Sequence, residues 1–106
     1  MIQSQNTQNQ AVRGGGRLPL DRILDRAKLA IKYYWHCEPS ALKPRFRYPI
    51  LWLFNEWAVP PEKSAEFFGI CRKSYYNYMR NADAYMKLKW SRDVYMRVRA
   101  YIIYII

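Results

Sequence analysis

A single histidine, His36, and two cysteines, Cys37 and Cys71, stand in 106 residues. That scarcity excludes a disulfide framework, a cysteine-rich zinc site and most imidazole-driven hydrolysis. Cys71 has Arg72 and Lys73 beside it, which favours a thiolate, but a catalytic thiol needs a base, and the lone imidazole is remote in sequence. No stretch approaches the ~20 apolar residues of a membrane span. Met1 to Gln10 is polar and lacks the apolar core of a signal peptide. Acidic groups are also few, with 8 Asp+Glu against 18 Lys+Arg and a formal net charge of +10. These absences point away from an enzyme, a metal, a cofactor or a small-molecule substrate. They point to a cytoplasmic protein, nucleoid-associated or phage-encoded, with an acidic polymer as partner.

What the chain does have is packing material. Hydrophobic residues make up 51% and aromatics 17%, too much for a disordered basic tail. Residues 1–17 contain no aromatic or acidic group and end in Arg13-Gly14-Gly15-Gly16-Arg17. Such a stretch buries too little apolar area to offset its chain entropy, so it reads as a disordered basic arm before one domain over 18–106.

The domain reads as all-α, a bundle of five or six short helices. Pro19-Leu20-Asp21 signals a helix start. Leu20, Ile23, Leu24, Ala27, Ile31, Tyr34 and Trp35 then form a 3.6-residue apolar stripe that should stop near His36, ahead of Pro39. Arg22, Arg26 and Lys32 fall on the wet face. Lys43-Pro44-Arg45-Phe46-Arg47 reads as a basic loop. Tyr48 to Ala58, with Pro49 as helix starter, reads as a central buried helix containing Ile50, Leu51, Trp52, Leu53, Phe54 and Trp57. Near the C-terminus, Ser91 and Asp93 suit the cap and first turn of a last helix carrying Val94, Val98, Tyr101, Ile102 and Ile105.

The informative segment runs from Pro61 to Arg80. Two helices crossing at a tight turn need a small residue at the crossing, a glycine in the turn and apolar inward faces. Ala65 supplies the first, Gly69 the second, and Phe68, Ile70, Tyr75 and Tyr78 the third. Ala65 to Arg80 thus resembles the helix-turn-helix of bacterial and phage DNA-binding proteins. It differs in Cys71, where Ser or Thr is usual, and in tyrosines where aliphatic residues are usual. The resemblance implies that the second helix reads DNA. With Tyr75 and Tyr78 inward, Arg72, Lys73, Tyr76, Asn77 and Arg80 face outward, and these residue types read base edges in a major groove.

A second similarity covers roughly Ile31 to Ile102. The order of helix, basic loop, buried helix and a helix-turn-helix containing Phe68-Gly69 is similar to the C-terminal DNA-binding domain of the replication initiator DnaA. Arg72-Lys73 stands where that family has an Asp-His pair, so the similarity bears on architecture and not on initiation.

Charge placement agrees with a nucleic-acid partner. Tyr48 to Cys71 holds Lys63 against Glu56, Glu62 and Glu66, a net −2. Arg72 to Arg99 holds Arg72, Lys73, Arg80, Lys87, Lys89, Arg92, Arg97 and Arg99 against Asp83 and Asp93, a net +6. Phosphate contacts are expected from Arg45, Arg47, Lys87, Lys89 and Arg92, with Arg13 and Arg17 reaching along the backbone or into a minor groove. The function expected is double-stranded DNA binding in regulation, replication or packaging. The alternative is a small assembly protein of a virion or nucleoprotein, binding a partner protein or nucleic acid non-specifically. The apolar tail Tyr101 to Ile106 either packs on the first helix or forms an edge for self-association, and a homodimer is one hypothesis for it.

Overall fold

The computed structural model describes residues 18–104. The basic arm, with Arg13 and Arg17, and the last two isoleucines lie outside the described residues. Five α-helices follow in order: α1 (Leu20–Trp35), α2 (Pro44–Glu56), α3 (Pro61–Phe68), α4 (Arg72–Met86) and α5 (Lys89–Tyr104), with a short 3-10 turn over Pro39–Ala41. Among the described residues there is no strand. The chain is an all-α bundle.

Prolines set most of the helix starts. Pro44 and Pro61 occupy the first turn, where a missing N–H removes no hydrogen bond, and Pro19 and Pro60 take the cap positions. This corrects the expected loop at 43–47. Pro44, and not Pro49, starts α2, so Arg45, Phe46 and Arg47 are helical. Pro49 lies inside the helix, and its ring is buried in the core. The last helix also begins earlier than its sequence suggests, at Lys89. Ser91 is therefore no cap. It is buried inside α5, with its hydroxyl against the Met86 sulfur at 3.5 Å.

The central position of α2 follows from its composition. Ile50, Leu51, Leu53 and Phe54 are all 0% exposed, and α3, α4 and α5 pack around them. Trp52 and Trp57 are half-buried at the margin of that core. Ile23, Ala27, Ala30 and Ile31 bring α1 onto the same core, with Val98 and Ile102 opposite on α5. Arg26, expected on the wet face, is half-buried and donates to the Ile102 carbonyl at 2.9 Å, tying α1 to the end of α5. Tyr101 stacks at an angle on Tyr33 and Tyr34. In the described part of the tail, Tyr101 packs on α1 and Ile102 joins the core, while Tyr104 is exposed.

Candidate nucleic-acid interface

The turn between α3 and α4 is built from Gly69, Ile70 and Cys71. Gly69 has φ 68°, the left-handed conformation that lacks a steric penalty only for glycine. Its N–H bonds to the Glu66 carbonyl, and the Ile70 N–H reaches back to Ala65, so two of the carbonyls left open at the end of α3 are satisfied. Ala65 and Phe68 are buried under the turn, and Ile70 is half-buried.

Cys71 precedes α4 in extended conformation, and its side chain does not cap the helix in the usual way. Its sulfur instead meets the Ser74 hydroxyl at 3.4 Å. That contact, followed by the backbone N–H groups of the first turn, holds the thiol below its ordinary range.

Tyr75 is the buried anchor of α4 at 3% exposure, joined by Ala82, while Tyr78, Met79 and Tyr85 are half-buried beside it. On the opposite side, Arg72, Lys73, Tyr76, Asn77 and Arg80 are all exposed. At about 100° per residue, these five side chains share roughly 140° of the helix circumference. The Arg72 guanidinium reaches the Tyr76 hydroxyl at 3.5 Å, which holds Arg72 above its usual range. Asn77 borders a groove of about 150 Å³ that it shares with Tyr48, Ser74, Tyr78 and Asn81. Its carbonyl accepts from the Asn81 amide at 3.0 Å. The ion pairs among the described residues lie elsewhere: Lys28 and Lys32 with Glu38, Lys63 with Glu66, and Lys89 with Asp93.

The five residues expected at phosphates separate. Lys87 is exposed at the C-terminal end of α4. Arg45 is exposed, with its guanidinium over the rings of Phe46 and Trp90 at 5.0 and 5.9 Å. Lys89 lies 3.4 Å from Asp93, which offsets its charge locally. Arg92 donates to the Lys87 carbonyl at 2.8 Å, capping the end of α4.

Arg47 is not in a loop and is only partly exposed. Its half-buried guanidinium donates to the Tyr78 hydroxyl at 3.1 Å and to the Ser40 carbonyl at 2.9 Å, and lies over the Phe68 ring. Sequence reasoning also missed Tyr48, whose ring stacks on Tyr85 at 3.8 Å and meets Tyr78 edge-on. The loop expected at 43–47 hides the Arg47 contacts, since a helix that already runs through Arg47 aims its side chain at α4.

Among the described residues, no group of three or more His, Cys, Asp or Glu side chains is placed to hold a metal ion, and no helix is long and apolar enough to cross a membrane. Comparison with protein-family models, with curated proteins and with solved structures finds no match to this chain.

Proposed function

We propose that the protein binds double-stranded DNA by setting α4 into a major groove. One observation carries this reading. Arg72, Lys73, Tyr76, Asn77 and Arg80 occupy a single exposed face, turned away from the side that buries Tyr75 and Ala82, and their cations stand apart from the ion pairs. Guanidinium and ammonium groups donate to guanine N7 and O6, a carboxamide pairs with adenine, and a phenol ring contacts the thymine methyl. Lys87 and Arg45 flank that face as phosphate contacts, adding affinity without sequence information. The test is selection of bound duplexes from a random pool at two salt concentrations. Enrichment of one sequence that persists at the higher salt supports the reading, whereas binding confined to low salt with no preferred sequence overturns it.

A second reading, an assembly protein that docks on another protein, is favoured by α3. Its exposed Glu62 opens the helix and its exposed Glu66 lies one turn before Gly69, and Glu62 acts electrostatically on Arg72. A phosphate backbone brought against α3 is repelled by these carboxylates, whereas a basic protein surface is attracted to them.

A further inference from the structure

We infer that Arg47 is the positioning residue for α4, fixing the helix from beneath without touching a phosphate itself. The inference rests on the DNA-binding reading for its consequence but not for its geometry. A two-helix unit joined by a short turn has its crossing angle set by what lies under the second helix. Here that support comes from the first turns of α2. Arg47 holds Tyr78 through Nη1, and the next residue, Tyr48, lies flat against Tyr85 one heptad further along α4. Two points so far apart on one helix fix its direction as well as its position.

The other contacts of the same guanidinium join three parts of the fold. Nη2 donates to the Ser40 carbonyl in the 3-10 turn, and the charged plane lies 5.7 Å from the Phe68 ring of α3. Ser40 is also the neighbour that a side chain at Gly69 would meet, at 3.4 Å from its Cβ. One planar cation therefore links the 3-10 turn, α3 and α4 around the Gly69 turn. Nε of Arg47 is buried without a hydrogen-bond partner. Lysine, with a point charge and no fork, cannot make both bonds and the ring contact together.

The test uses the full chain in two variants, Arg47→Met, which keeps an apolar stem, and Tyr78→Phe, which removes only the accepting oxygen. Residual dipolar couplings of backbone amides give the orientation of α4 relative to α2. A change of about 10–20° in both variants, with helix content retained, is the expected result. The double variant should be no worse than Arg47→Met, because both substitutions remove the same bond. An unchanged α4 orientation in Arg47→Met overturns the inference. Should that variant fail to fold, Tyr78→Phe decides the matter alone by the same couplings. For DNA, a random-sequence duplex is the probe. The slope of affinity against salt should match that of the parent chain in Arg47→Met, and a fall of about one unit would instead make Arg47 a phosphate contact. If the parent chain binds no duplex, the DNA-binding reading fails while the couplings still decide this inference.

Discussion

At the scale of residues, the proposed DNA-binding reading distinguishes two kinds of contact on and beside α4. Asn77→Ala is expected to relax preference at one base pair by ~1–3 kcal/mol, because a bidentate carboxamide pair discriminates by that amount. Arg72→Ala should likewise cost about tenfold at a single position. Lys87→Ala should weaken all sequences alike and lower the salt slope by about one unit. Competition binding with singly substituted duplexes at several salt concentrations measures both; identical behaviour of the two classes would exclude direct base readout. Tyr95 makes a different prediction. Its phenol donates to Glu56, and burial first, then that carboxylate, push it up to about 12 from 10.0. The folded state thus holds this proton more tightly than the unfolded chain does. The stabilisation is complete below pH 10.0 and is lost as pH rises toward about 12. Tyr48 and Tyr75 are also raised by burial, so the comparison must be with a variant. Tyr95→Phe should flatten part of the alkaline loss of stability in urea unfolding followed from pH 8 upward.

At the scale of elements, helix ends decide the layout. Three helices are followed by a left-handed residue: His36 at φ 58°, Ala58 at φ 60° and Gly69 at φ 68°. Only the last is glycine, and it precedes α4. Ala58 occupies a position where its Cβ crowds the backbone, so Ala58→Gly should be neutral to stabilising, by up to about 1 kcal/mol, the relief being offset by unfolded-state entropy. Gly69→Ala should be destabilising by about 1–2 kcal/mol for the converse reason, and thermal unfolding of the pair checks both signs. α3 is also where a buried hydroxyl, that of Ser64, finds no partner. Ser64→Ala should therefore raise stability by about 1 kcal/mol. A lowered melting temperature would show that the hydroxyl is satisfied.

At the scale of the molecule, one core organises everything, and α2 is its axis. Phe54 is fully buried and packs against Phe67 and Phe68, coupling α2 to the helix that leads into the turn. Phe54→Ala should cost about 3–5 kcal/mol, through lost transfer energy and the cavity left behind. Measured by urea unfolding, a cost below about 1 kcal/mol would mean that α2 is not the centre of the fold. On the outside, Leu29, Tyr33 and Tyr104 are 56%, 64% and 72% exposed along α1 and α5.

The helical periods, the proline starts and the Gly69 turn were legible in the chain because each is a local preference. The amphipathic split of α4, Tyr75 inward and Arg72, Lys73, Asn77 and Arg80 outward, was legible for the same reason. The start of α2 was not, because two prolines five residues apart both satisfy the starting rule and only core packing around Pro49 selects Pro44. The fate of each cation was not legible either. Arg45, Arg47, Lys89 and Arg92 look alike as letters, yet one stacks on rings, one ties helices together, one pairs with Asp93 and one caps α4. The sequence by itself determined that the domain is helical and which stripe of each helix is oily, since those follow from neighbours three and four residues away. The tertiary structure alone decided which positive charges remain available to a partner, because a guanidinium's surroundings are set by residues from other helices.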